Sequence, residues 1–258
     1  MAISLSDISA KPKVAPPRIT IYGPHGIGKS SFGAMAPNPI FVPTEEGIGQ
    51  LAVPSFPLLK NFSEVIEALS ALHNDQHDYQ TVVVDSLDWL EPMIWRATAQ
   101  LHGKSDIEEF GFGKGYIFAL DQWRILFDWL NALRANKNMA IVLISHCQVK
   151  RFDDPNNEPY DRYNIKLQER AIALVQEWCD GLFFANYKTF IAKTDVGFNQ
   201  KKARGTGTGE RVIYTEERPA HLAKNRYSLP AEIPFVRETV WPTIYEHLTK
   251  PLNNQPGA

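Results

Sequence analysis

Residues 23–30 read Gly23-Pro24-His25-Gly26-Ile27-Gly28-Lys29-Ser30 and satisfy G-x-x-x-x-G-K-[ST] at every fixed position. That spacing suits a polyphosphate chain. Its glycines let the main chain curl until several N–H groups point into one hollow. A helix starting near Gly28 adds the positive end of its dipole. Lys29 offers a point charge to the β- and γ-phosphates, Ser30 a hydroxyl to Mg²⁺, and Ser31 is placed to reach an α-phosphate. The plain alternative is a glycine-rich turn that binds nothing. Against it stands the preceding run, Arg18 to Tyr22, which alternates apolar and polar residues as a strand does.

Other residues are candidates for chemistry by position. Asp85 closes the run Thr81-Val82-Val83-Val84 and emerges at the carboxyl end of a strand, where open α/β sheets bind ligands. There it would hold Mg²⁺ opposite Ser30. Asp88 is a lesser substitute, with helix capping as its alternative. Glu45 and Glu46 follow the strand Ile40 to Val42, where an acid could activate a water for attack on a phosphate; a solvated acidic turn is the other reading, and Glu45 is preferred. His146 follows Ser145 at another strand tip, as a γ-phosphate contact or as a structural histidine. Lys224 and Arg226, two apart, share a face if that stretch is a strand. They either clamp a phosphate of a neighbouring subunit or are ordinary solvated charges.

The elements that must position these groups alternate along the chain. Strands are expected at 18–22, 40–42, 81–85, 140–144 and 181–185. Helices are expected after the phosphate loop, from a cap at Ser63, at about 117–136 and over 165–178. Residues 187–215 suggest a β-hairpin around the polar segment Asn199 to Glu210, and another strand-like stretch ends at Arg226. The fold class is α/β: a mainly parallel central sheet flanked by helices, with an antiparallel β extension towards the C-terminus. Residues 1–17 read as a loose leader, 18–250 as one domain and 251–258 as a frayed tail. Gly205 to Gly209 is either a flexible hairpin tip or a second anion contact.

Composition narrows the function classes. The 258 residues are 44% hydrophobic and 22% charged, ordinary globular values. Net charge is −2, so any nucleic-acid surface must be local. The two cysteines, Cys147 and Cys179, have no metal or redox spacing. No apolar run approaches a membrane span, and no signal-peptide stretch opens the chain. A soluble cytoplasmic protein is expected.

The order of these features resembles the RecA/RadA/DnaB superfamily of ATPases, and within it the phage RecA-like nucleotide-binding proteins linked to recombination and single-strand annealing. The resemblance spans roughly residues 18–236. It rests on the phosphate loop, Phe41-Val42-Pro43-Thr44-Glu45, Val83-Val84-Asp85-Ser86, Ile144-Ser145-His146 and Lys224-Asn225-Arg226. It implies a RecA-like P-loop core using ATP and Mg²⁺, with Glu45 as the catalytic acid and Asp85 on the Mg²⁺ strand. His146 would be the γ-phosphate sensor, and Lys224 and Arg226 would reach into the next subunit of a ring or filament. It also implies single-stranded DNA as a partner, alongside other phage recombination proteins. Two loops would contact the strand. One holds Lys104, Phe110, Phe112, Lys114 and Tyr116; the other begins at Lys150 and Arg151 and runs to Tyr163. Pro43 replaces an acid common in the superfamily, His146 stands where Asn-Gln is frequent, and Asp153, Asp154, Glu158 and Asp161 oppose DNA binding in the second loop. These departures bear on strand exchange more than on hydrolysis. A small-molecule kinase and a nucleotide-gated binding module with little hydrolysis remain the alternatives.

Overall fold

The computed structural model describes residues 15–249 apart from 156 and 196–200, with the backbone alone for residues 189–208 and 249. The expected leader at 1–14 and the tail from 250 lie outside the described residues. Strands β1 (Arg18–Gly23), β2 (Pro39–Pro43), β3 (Thr81–Asp85), β4 (Ala140–Phe152) and β6 (Gly181–Asp195) run parallel in the order β2-β3-β4-β1-β6. Strands β7 (Lys201–Tyr214) and β9 (Glu232–Pro234) extend the sheet antiparallel beyond β6. Strand β5 (Tyr160–Ile165) pairs antiparallel with the far half of β4, and the short β8 (Lys224–Asn225) pairs with the start of β6. This is the α/β class expected from the sequence: a mainly parallel central sheet with an antiparallel extension towards the C-terminus.

The central stretches of the parallel strands are largely apolar because both faces are covered there. On one face Val82, Val84, Ile141 and Leu143 pack with α2 (Phe62–Asn74), α3 (Leu87–Leu101), α4 (Lys114–Asn136) and α5 (Glu169–Trp178). On the other, Ile19, Ile21, Val83, Val142 and Ile144 meet α1 (Lys29–Ala34) and α6 (Val240–Thr249). The period-two alternation of side chains thus sorts each strand between two cores. Trp241 of α6 ties the second layer together by donating its indole N–H to the Phe32 carbonyl at 2.8 Å.

Several local expectations are corrected. Helix α2 is capped by Asn61, not Ser63: the Asn61 side chain accepts from the Glu64 N–H. Asn61 has an extended backbone and Ser63 already lies within the helix. Helix α4 begins at Lys114 and absorbs the end of the first expected loop. The second expected loop is largely strand, since Cys147 to Phe152 pair with Ile165 to Tyr160. Alternation of Val149, Arg151, Tyr163 and their neighbours carries that pairing, but the acids between them masked it. Gly205 to Gly207 are not the hairpin tip; their backbone pairs with Ile191 to Thr189.

Close packing of α1 on the sheet depends on Gly33. A Cβ there would lie 2.7 Å from Val83 Cγ1 and 3.2 Å from the Phe41 ring. Gly33→Ala should therefore destabilise the fold by about 1–3 kcal/mol through overpacking. Urea unfolding should show a lower midpoint at unchanged slope; an unchanged midpoint would refute this account of the α1 contact.

Candidate active site

The register of the parallel ladder brings the expected residues to one edge. Pro43 stands opposite Asp85, Asp85 opposite Ile144, and His146 opposite Gly23. The phosphate loop, Glu45, Asp85 and His146 therefore converge where the strands end.

The loop from β1 to α1 has the shape its sequence demands. Gly28 has φ 108°, a left-handed value that disfavours a side chain, and a Cβ there would also meet Arg211 Nη1 at 2.9 Å. Lys29 is buried, and its ammonium donates to the carbonyls of Gly23 at 3.1 Å and Pro24 at 3.0 Å. Burial lowers its pKa, with the Asp85 charge acting the other way. The Ser30 hydroxyl donates to Asp85 Oδ2 at 2.6 Å. Burial raises the Asp85 carboxyl, while Ser30 and Lys29 hold it down. This half-buried hydroxyl–carboxylate pair fits Mg²⁺, a hard cation that takes one or two protein oxygens together with phosphate oxygens. The residues that would hold it are Ser30 and Asp85.

Thr44 positions the second acid. Its N–H donates to the Asp85 carbonyl at 2.8 Å, its hydroxyl donates to the Ser86 carbonyl at 2.6 Å, and that hydroxyl accepts the Ser86 N–H at 2.8 Å. The ends of β2 and β3 are thereby locked, and Glu45 leaves the lock half-buried beside Asp85, while Glu46 is exposed. Burial raises the Glu45 carboxyl above the usual range; contact with Ser86 and the His146 charge pull it back. The Asp85–Ser86 peptide is cis.

His146 is held by Asp88, the first-turn acid of α3. One carboxylate oxygen accepts from His146 Nδ1 at 2.9 Å and the other accepts the His146 N–H at 3.0 Å. With Nδ1 engaged, Nε2 is the ring nitrogen left for a ligand. The other face of the ring stacks on His25 of the phosphate loop, with centroids 4.0 Å apart at 28°. Asp88 is buried, which works against its charge, yet the bonds from His146 outweigh that and bring its pKa to about 2. The sequence pattern pointed to His146 and His25 but offered Asp88 only as a lesser Mg²⁺ ligand or a helix cap. Its spacing from His146 in the chain offers no signal, because the contact arises only from the register of β3 and β4.

A smaller pocket of about 210 Å³ adjoins the end of the loop, lined by Ser31, Met35, Leu51, Arg211, Phe235 and Arg237. The Arg211 guanidinium lies over the Phe235 ring at 5.3 Å and donates to the Ile27 carbonyl at 3.4 Å. Arg211 lies on the returning strand β7, and nothing in its local pattern marked it out.

The structure does not bring Lys224 and Arg226 to this edge. They sit beside Gly181 and Leu182, at the start of β6 and the opposite end of the sheet. The Lys224 ammonium donates to the carbonyls of Gln176, Glu177 and Cys179 at 2.6, 3.2 and 2.8 Å, closing the C-terminus of α5. The Arg226 side chain is 57% exposed and lies 3.5 Å from Asp180.

Of the expected DNA-contact residues, Lys104 and Lys114 are exposed and Phe112 is fully so, with φ 50°. Phe110 packs locally, edge-on to His102 and tilted against Phe118, and the Tyr116 hydroxyl donates to Glu108. Lys150 pairs with Glu169 at 3.5 Å and Arg151 with Asp153 at 3.4 Å. A further cleft lies at the opposite end of the sheet, among Pro17, Tyr79, Gln80 and Tyr245, remote from the phosphate loop.

A family model described as "AAA domain" matches residues 15–227. The chain belongs to that family. The match carries nucleotide-binding P-loop ATPase character, in keeping with the geometry above. Among solved structures, the RadB recombinase is similar over 86% of this chain and 89% of its own, at 15% identity and a TM-score of 0.44. No curated protein matches the chain. Among the described residues, no helix is long and apolar enough to cross a membrane.

The Asp88–His146 contact sets an acid limit on stability. A carboxylate whose pKa falls on folding contributes stability that is present above its unfolded value and lost as pH drops through the folded one. For Asp88 that window runs from the usual carboxylate value of 3.8 down to about 2. Asp88→Asn should lower stability at neutral pH by on the order of 2 kcal/mol and flatten the acid limb across that window. Equal acid limbs for the two proteins in thermal melts would contradict the assignment.

Proposed function

We propose that the chain binds ATP with Mg²⁺ and hydrolyses it to ADP and phosphate, assembling into an oligomer that acts on single-stranded DNA in recombination or annealing. The observation that carries the proposal is the Ser30–Asp85 contact of 2.6 Å beneath a complete phosphate loop, with Glu45 locked to the neighbouring strand end by Thr44. Lys29 would exchange its two carbonyl partners for phosphate oxygens, and Ser30 and Asp85 would hold Mg²⁺, which supplies charge neutralisation when bound. Glu45 would orient a water and accept its proton. His146 would turn Nε2 to the terminal phosphate, with Asp88 balancing any charge on the ring. The nucleoside would extend past Ser31 towards Arg211 and Phe235.

The trans-acting role proposed for the Lys-Asn-Arg segment falls on Arg226. Its guanidinium lies away from its own phosphate loop and is more than half exposed. A cation that reaches a neighbour's phosphates typically contributes 10³-fold or more in rate. Turnover per subunit should then rise with protein concentration and fall towards the dilute-solution rate in Arg226→Ala. A dilute monomer as active as the concentrated protein would remove the trans role. The DNA part rests on the sequence resemblance and on the exposed Lys104, Phe112 and Lys114.

Lys29→Ala should abolish binding of a fluorescent ATP analogue, whereas Glu45→Gln should keep binding and lose turnover by 10²-fold or more. Because burial raises the Glu45 carboxyl, and a base works only when ionised, turnover should climb with pH through a midpoint above 4.5. Full turnover in Glu45→Gln would point instead to a different base, and retained binding in Lys29→Ala would defeat the proposal itself.

A further inference from the structure

Next to the phosphate site, a cleft of about 530 Å³ opens between the first turns of α3 and the segment leaving β5. Its walls include Trp89, Trp95 and Tyr116, and its polar lining Glu91, Gln148 and Lys166. Trp89 and Trp95, six residues apart on α3, both border it. Trp89 is 55% exposed, and Trp95 meets the Tyr116 ring edge-on at 5.3 Å and 74°. The cleft thus presents exposed π-surface at Trp89.

Its polar groups say what kind of ligand fits. Both oxygens of the buried Glu91 accept the Gln168 N–H, at 3.1 Å each. Asp88, at the floor, is engaged twice by His146. Gln148 donates to the carbonyls of Ile165 and Leu167. The two carboxylates are therefore already bonded within the protein, and a cationic guest would also meet Lys166, whose ammonium lies 3.9 Å from Asp88 with its side chain 55% exposed. A flat, uncharged ring carrying an anionic group suits the site better: the ring against the indoles, the anion at Lys166.

We propose that this cleft receives one unstacked base of a single-stranded nucleic acid, stacked on Trp89 and Trp95 with its phosphate at Lys166. The site rests on the reading of the chain as a nucleotide-dependent protein that acts on single strands. It adds a place where the strand is sensed, because Asp88 joins the cleft floor to His146 and, through the ring stack, to His25 of the phosphate loop.

The test is fluorescence anisotropy of a labelled oligothymidylate with the full chain, ATP analogue and Mg²⁺. Stacking on an aromatic ring is sequence-tolerant and commonly lost on alanine substitution. Trp89→Ala should weaken strand binding about tenfold, Trp89→Phe should restore most of it, and binding of the ATP analogue should be unchanged in both. Equal strand affinity in Trp89→Ala and the parent would overturn the cleft while leaving the wider DNA reading intact. Binding of thymidine monophosphate as tight as that of the strand would also overturn it, marking a mononucleotide site instead. No strand binding by the parent, with ATP-analogue binding retained, would sink both the cleft and the DNA reading.

Discussion

The site depends on the register of the parallel ladder. Asp85 is level with Pro43 on one side and Ile144 on the other, and two residues further on His146 is level with Gly23. A slip of one residue along any of these pairings would carry each side chain to the opposite face. In most sheets the contrast between a wet and a dry face fixes register. Here both faces are dry, and the discrimination comes from packing: Val82 and Val84 belong to the larger core, while Val83 belongs to the core under α1. Gly33 helps to specify this, since only a residue without a Cβ lets α1 settle on Val83 and Phe41. The Thr44 lock then fixes the strand ends where the ladder stops.

Three carboxyl groups share the active edge, and their surroundings pull them apart. Asp85 and Glu45 are raised by burial, and Asp88 is pulled down by the bonds it accepts from His146. Groups of one type held at different proton affinities are suited to different roles. Asp88 remains ionised and anchors an imidazole. Asp85 is buried with one hydroxyl donor and an ammonium nearby, a setting that a divalent cation would complete. Glu45, raised by burial, has the greatest access to solvent of the three, which suits a group that must take up and release a proton.

Parts of this arrangement were legible in the chain and parts were not, for identifiable reasons. The phosphate loop is contiguous, so its eight residues announce themselves. Asp85 and Glu45 are each read from a local rule, an acid at the end of an apolar strand. The role of Asp88 required knowing that β3 lies beside β4, and Arg211 required knowing that β7 returns past the loop. The antiparallel pairing of β4 with β5 was hidden because its alternation involves charged residues on an exposed ribbon, where patterning is weak. The Ser63 cap failed by two residues because Asn61 competes for the same role with its carbonyl oxygen already aimed at the Glu64 N–H.

Two lysines show how the same chemistry can serve opposite purposes. Lys29 and Lys224 are both lowered by burial, and both donate to main-chain carbonyls. The partners of Lys224 lie in and just beyond the last turn of α5, where carbonyls have no helical donor to replace it. Withdrawing that ammonium would uncap the helix. The partners of Lys29 are two carbonyls of the glycine-rich loop itself, so a polyanion entering there would offer the ammonium oxygens of greater charge. Exchange is therefore favourable for the first lysine and costly for the second. This difference, rather than exposure or position in a motif, separates a cation that meets a ligand from one that holds the fold together. By the same measure Arg226, whose contact with Asp180 at 3.5 Å is long and largely solvated, has the most freedom to exchange its partner.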